Sequence, residues 1–290
     1  MKKHSVISAV LLAVVLLFSS CTYSFIGLTD KSISLDEIPE FSYEAYVEIN
    51  GNVPDFDEND LKAKSYETYG RLDALGRCSQ CKACIGIDLM PTEKRGAIGM
   101  VKPTGWHSDK YNNVDGKYLY NRCHLIGYQL TAENANERNL ITGTRYLNVD
   151  GMLPFEDEVA DYIKETGNHV LYEVTPVFKD AELVARGVHM QARSIEDGGE
   201  GVSFNVYCFN AQPGIEIDYQ TGDNKPSKEE YTFDDGSEKA TYIINENSKK
   251  FHKPNCEAVD KMSEKNKKEY YGTRENLIKN GYEPCGFCKP

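Results

Sequence analysis

The sequence predicts an α+β protein, with a curved antiparallel sheet and helices, followed by a small α+β module stapled by a metal or a disulfide. Three observations predict it. Runs rich in β-branched and aromatic residues recur at Tyr43–Ile49, Lys117–Leu125, His169–Val177, Val184–Ala192 and Gly201–Phe209, with the composition and length of strands. Pro154–Glu165 places Phe155, Val159, Tyr162 and Ile163 at helical spacing, and Pro154 suits a first helical turn. Near the C-terminus, His252, Cys256, Cys285 and Cys288 form two close pairs, a staple pattern for a segment with little apolar content.

A chain of 290 residues can hold one main domain and one small extra module. Its formal net charge of -12 argues against tight, charge-driven binding of a polyanion by the whole molecule. The charge is uneven: residues 239–290 carry 11 Lys+Arg against 7 Asp+Glu. That segment is the better place to hold a polyanion loosely. Overall acidity does not exclude an enzyme, which needs only a local positive site.

In chain order, residues 1–20 read as a signal peptide. Lys2 and Lys3 precede an apolar stretch, Val6–Phe18, of secretory length. Phe18-Ser19-Ser20-Cys21 resembles a bacterial lipoprotein processing site, which makes Cys21 the lipidation candidate and residues 21–38 a tether on the outer face of a membrane. The alternative is an ordinary cleaved signal, with secretion. The main domain is expected over 39–218. Within it Tyr66–Gly76 reads as helical, with Tyr69, Leu72 and Leu75 on one face. Cys78, Cys81 and Cys84 form a C-x2-C-x2-C run, read as one disulfide plus packing cysteines; a metal set would need a fourth ligand. The pairing among Cys78, Cys81, Cys84, Cys123 and Cys208 is left open. Met90–Gly96 is a polar loop leading into a strand at 97–101, with Arg95 either solvated or near a phosphate. His107, His169 and His189 read as surface or structural residues. Residues 219–240 read as a linker, and 241–290 as the small module.

The stretch that concentrates chemistry is Tyr120-Asn121-Arg122-Cys123-His124, with Asn148 and Glu156 downstream. On a strand Arg122 and His124 share a face and Cys123 points the other way, which argues against a Cys123–His124 nucleophile–base pair. A helical stretch over Thr142–Leu147 and the helix from Pro154 let Asn148 and Glu156 approach that face. Arg, His, Asn and Glu together suit cleavage of a phosphodiester with one hard metal ion. Each residue also has a plain structural use: a strand His in the core, Asn148 as a helix cap, Arg122 in a surface ion pair, Glu156 in a helical first turn.

These residues resemble the DNA/RNA non-specific endonucleases with a ββα-metal fold, especially the secreted streptococcal type. Asn121-Arg122-Cys123-His124 stands where their Asp-Arg-Gly-His motif would, and Asn148 is followed eight residues later by Glu156, the family's spacing. The resemblance implies an exported, sequence-non-specific nuclease acting on DNA and RNA, with 5′-phosphate products. His124 would be the general base, Asn148 the ligand of Mg²⁺ (or Mn²⁺ or Ca²⁺), Arg122 the stabiliser of phosphoryl charge, and Glu156 the residue orienting metal-bound water. Two other classes remain open: a nucleotide phosphodiesterase or pyrophosphatase, and a non-enzymatic, nucleic-acid-binding surface lipoprotein.

The C-terminal segment is similar to the metal-binding domain of methyl-phosphotriester repair proteins, with His252 in place of the first Cys. Its four ligands suit tetrahedral zinc in a structural role; a disulfide of Cys285 with Cys256 or Cys288 is the alternative. Glu257–Tyr271 and Arg274–Lys279 read as helices.

Overall fold

The computed structural model describes residues 33–227 and 240–290. The signal segment 1–20, Cys21, the tether up to residue 32 and the linker residues 228–239 lie outside the described residues.

The architecture is mixed α+β, as expected. Six strands form an antiparallel sheet in the order β1-β8-β7-β6-β3-β2: β1 (Tyr46–Glu48), β2 (Tyr66–Tyr69), β3 (Cys81–Ile85), β6 (Val170–Val177), β7 (Gly187–Ser194) and β8 (Ser203–Phe209). Strict alternation sends Val170, Tyr172 and Val174 of β6, Val188, Met190 and Ala192 of β7, and Phe204, Val206 and Cys208 of β8 to one buried face. A one-residue slip would exchange that face for the polar one. The long helix α2 (Leu153–Thr166) packs Phe155, Val159, Ala160 and Ile163 into the same core. It ends at Gly167, whose φ of 75° allows the left-handed cap that returns its N–H to the Ile163 carbonyl.

The opposite face of the sheet is buried and polar, and its groups are paired. Gln191 Nε2 donates to Glu173 Oε1 (2.8 Å) and Asn205 Nδ2 to the Val53 carbonyl (2.8 Å). Lys82 reaches Asp60 at 2.7 Å and Glu173 at 3.2 Å. The segment before β2 thus satisfies groups that would each be costly to bury alone.

A separate two-stranded hairpin carries the chemistry-bearing motif. Strand β4 (Tyr120–His124) pairs antiparallel with β5 (Leu140–Thr144), setting Arg122 opposite Thr142 and His124 opposite Leu140. A four-residue helix, α1 (Tyr128–Thr131), lies between them. Asn210 joins the hairpin to the sheet: its Oδ1 accepts from the Thr144 N–H, and its Nδ2 donates to the Thr142 and Ala185 carbonyls.

Several expectations are corrected. Tyr66–Gly76 is not a helix: Tyr66–Tyr69 pairs with all but the last residue of β3. Leu140–Thr144 is a strand, because β4 offers it a full ladder; helical geometry begins only at Arg145. Residues 97–101 form no strand and instead accept side-chain hydrogen bonds through their carbonyls. The cysteines Cys78, Cys81, Cys84, Cys123 and Cys208 are free and buried, so the expected disulfide is not formed. Cys78 donates to the carbonyls of Glu137 and Leu140, Cys81 to that of Arg138, and Cys84 to that of Lys62. The first part of the expected linker belongs to the main domain. Strands β9 (Ile215–Ile217) and β10 (Asn224–Pro226) pair, Tyr219 Oη donates to the Asn210 carbonyl, and Asn224 bonds Asp109.

The C-terminal module has its own four-stranded sheet, ordered β13-β11-β12-β14: β11 (Ala240–Asn245), β12 (Lys250–His252), β13 (Lys267–Gly272) and β14 (Glu283–Pro284). The helix expected over Glu257–Tyr271 is reduced to α3 (Glu257–Asp260); a 3-10 turn, Glu264–Asn266, follows, and the chain from Lys267 becomes β13, which pairs along the whole of β11. Helix α4 (Arg274–Lys279) forms as expected, capped by Thr273, whose hydroxyl accepts from the Asn276 N–H.

Candidate active site

His124 ends β4 and is buried, with 6% of its surface exposed. The turn behind it is locked by Asn139, whose Oδ1 accepts from the Ile126 N–H and whose Nδ2 donates to the Ile126 carbonyl, both at 2.9 Å. His124 Nε2 lies 2.7 Å from the Asn134 carbonyl. A carbonyl only accepts, so Nε2 carries the proton and Nδ1 holds the lone pair, which faces Arg95 Nη2. Burial, reinforced by the nearby Arg95, pushes the imidazole down to about 4, although the Asn134 carbonyl pulls the other way. At neutral pH His124 is therefore an uncharged base with a defined tautomer.

The guanidinium beside that lone pair belongs to Arg95: its Nη2 lies 3.3 Å from His124 Nδ1. Arg95 projects from an exposed loop, where its sequence context fits a solvated side chain as well as a phosphate contact. Arg122 shares the His124 face but is committed elsewhere. Its Nε donates to the Val101 carbonyl, its Nη2 to the Gly99 carbonyl (2.9 Å), and its plane lies 4.1 Å from the Trp106 ring centroid. Arg122 braces the loop over residues 99–106, and the place foreseen for it next to His124 is taken by Arg95.

Asn148 sits on a π-helical turn, Leu147–Met152, that leads directly into α2. Its Oδ1 accepts from the Cys123 thiol at 3.2 Å. Glu156, in the first turn of α2, is buried under the residue Gly127. A Cβ on Gly127 would meet the Glu156 carboxyl atoms at 2.7–2.9 Å. Gly127 has a φ of -57°, so glycine is needed there for space and not for backbone freedom. Burial, with a smaller contribution from Asp157, raises the Glu156 carboxyl to about 8, while Arg95 and the Gly127 amide oppose the rise. Asn121, where the motif it resembles has Asp, keeps a buried Nδ2 without a partner among the described residues.

A hard divalent cation fits this donor set. Glu156 is a buried carboxyl that ionises at neutral pH only when positive charge compensates it, and Asn148 supplies an amide oxygen of the kind Mg²⁺ accepts. In the C-terminal module the ligand atoms of His252, Cys256, Cys285 and Cys288 all lie within 4.8 Å of one another. His252 Nδ1 is buried and unpartnered, and the Lys253 N–H donates to Cys288 Sγ at 3.4 Å. This second set is soft and closed, and fits zinc.

The hairpin of β4 and β5 is followed by a helix, with His124 on the hairpin and Asn148 and Glu156 at the helix start, which is the topology of a ββα-metal fold. Residues 58–196, just under half of the chain, match the family model described as DNA/RNA non-specific endonuclease. A deoxyribonuclease from Streptococcus dysgalactiae subsp. equisimilis is 34% identical over 118 residues, 39% of this chain and 34% of the relative. The chain thus spans about a third of the length of this curated relative. Among solved structures, NucA from Streptococcus agalactiae with magnesium ion bound aligns with a TM-score of 0.56 at 24% identity, covering 63% of this chain and 88% of NucA. Its metal-free form aligns at 0.57 and 24%, covering 69% and 99%. These two likenesses establish the fold.

Proposed function

We propose that this chain is an exported, metal-dependent nuclease that hydrolyses phosphodiester bonds of DNA and RNA without reading sequence. The observation that carries the reading is a buried, tautomer-fixed His124 with the Arg95 guanidinium at its Nδ1, the same guanidinium that acts on the buried Glu156 carboxyl. His124 Nδ1 takes a proton from the water that attacks phosphorus in line. The P–O3′ bond breaks, leaving a 3′ hydroxyl and a 5′-phosphate. Arg95, next to Nδ1, faces the phosphoryl oxygens and offsets their charge through its fork of donors. Arg122 holds the 99–106 loop that walls the site. Asn148 would hold Mg²⁺, and Glu156 would orient water bound to it. When bound, the ion would supply positive charge against the negative charge that builds up during the reaction. No side chain in this set is dedicated to base edges, which supports sequence-independent cleavage.

Duplex DNA, single-stranded DNA, RNA and a dinucleoside pyrophosphate, offered separately with Mg²⁺, test the substrate class. The expected result is cleavage of all three polymers with end groups bearing 5′-phosphate. Turnover of the pyrophosphate alone would replace the reading with a nucleotide phosphodiesterase.

His252, Cys256, Cys285 and Cys288 are assigned to one structural zinc. Purified protein should contain about one zinc per chain, and the double change Cys285→Ser, Cys288→Ser should remove it. A zinc-free protein whose module cysteines resist thiol reagents until reduced would show a disulfide staple instead. Export, and lipid attachment at Cys21, rest on the N-terminal sequence.

A further inference from the structure

We infer that Cys123 is a positioning residue for Asn148, holding its amide so that Oδ1 is presented to a hard cation; this rests on the metal-site reading above. An asparagine amide has two ends of nearly equal shape, one oxygen and one NH₂, and only the oxygen ligates a cation. Asn148 stands on a π-helical turn. The hydrogen bond that distinguishes the two ends of its amide comes from Cys123, whose Sγ lies 3.2 Å from Asn148 Oδ1. Cys123 is 1% exposed, and its S–H meets an oxygen acceptor. Its two other contacts are longer: Met152 Sδ at 3.5 Å, a weak acceptor, and the His124 carbonyl at 3.8 Å. One lone pair of Oδ1 is engaged, which leaves the second for a cation.

The surroundings accommodate this thiol specifically. Gly143, on the paired strand β5, has no side chain where one would collide: a Cβ there would meet Cys123 Cβ at 2.6 Å and Sγ at 3.2 Å. The motif that Asn121–His124 resembles carries Gly at this position. Here Cys123 fills the space that Gly143 leaves and donates a hydrogen bond to the ligand residue.

The test is Mn²⁺ affinity, read by electron paramagnetic resonance on the full-length protein; the soft Cys/His cluster competes weakly for Mn²⁺. Asn148→Ala sets the reference for loss of the ligand. Cys123→Ala is expected to weaken Mn²⁺ binding about tenfold, the lower end for loss of a ligand's supporting hydrogen bond. Cys123→Ser, which keeps a donor, should recover most of the affinity. In the Asn148→Ala background, Cys123→Ala should have no further effect. Equal affinities for the parent and Cys123→Ala, with Asn148→Ala weakened, would overturn the positioning role and leave the metal site standing. Unchanged affinity in Asn148→Ala itself would overturn the metal-site reading first. A Cys123→Ala effect that persists undiminished in the Asn148→Ala background would show a packing role only, and would also overturn the inference.

Discussion

His124→Ala is expected to lower kcat on DNA by about 10²–10⁴-fold, the contribution of a well-placed general base, with KM changed much less. The side chain lies in the core between the Asn134 carbonyl and Arg95, so its loss removes the base without removing the phosphate-facing guanidinium. The pH profile gives the same residue a second signature. With its folded value pushed down to about 4, His124 is a free base at all pH values above that. The acid limb of kcat/KM should fall near pH 4 and not near the ordinary histidine value of about 6.5. Stability follows the same sign. Between the two values the unfolded chain binds the extra proton, so stability contributed by neutral, buried His124 is present above about 6.5 and is lost as pH falls toward 4. An acid limb at the ordinary value would contradict the buried, carbonyl-fixed imidazole.

Glu156 is expected to show the opposite dependence. Its folded value, about 8, lies above that of an unfolded glutamate. The folded state therefore holds a proton that the unfolded chain has released, and metal-free protein should lose stability as pH rises from about 4.5 toward 8. A divalent cation compensates the ionised carboxylate, so Mg²⁺ should restore stability at the alkaline end, by about 2.7 kcal/mol at a concentration a hundredfold above its Kd. Glu156→Gln should flatten the pH dependence of the metal-free melting temperature, weaken the Mg²⁺ effect, and lower activity by about 10–100-fold. Melting curves of both proteins with Mg²⁺ and with EDTA across this range measure all but the last. A parent protein whose metal-free melting temperature is flat from pH 5 to 8.5 would show that Glu156 is not the buried acid described here.

Much of this was legible in the sequence, for identifiable reasons. The central strands β6, β7 and β8 are long and alternate strictly, so period two stands out. Helix α2 carries its own stop and start signals in Gly167 and Pro154. His124, Asn148 and Glu156 stand out as candidates because short-range spacing links them. The failures share a cause: short segments whose conformation is chosen by a partner. Tyr66–Tyr69, Leu140–Thr144 and Lys267–Gly272 became strands because β3, β4 and β11 present unpaired edges to them, and tertiary pairing overrode local preference. Arg95 was undervalued because a loop delivers it to a histidine 29 residues away, and loops have no periodicity to read. The only local hint was a basic residue in a polar loop of the same family resemblance. Arg122 was overvalued because sharing a face with His124 says nothing of which carbonyls a guanidinium will find.

The central claim is that His124 and a divalent cation together cleave nucleic acid polymers. The most direct measurement incubates plasmid DNA and a long RNA with residues 22–290, with Mg²⁺ or with EDTA, beside His124→Ala at the same concentration. The expected result is fragmentation of both polymers by the parent with Mg²⁺, protection by EDTA, and intact substrate with the variant over the same time. Intact polymers with the folded parent under every divalent metal tried, or equal cleavage by His124→Ala, would contradict it.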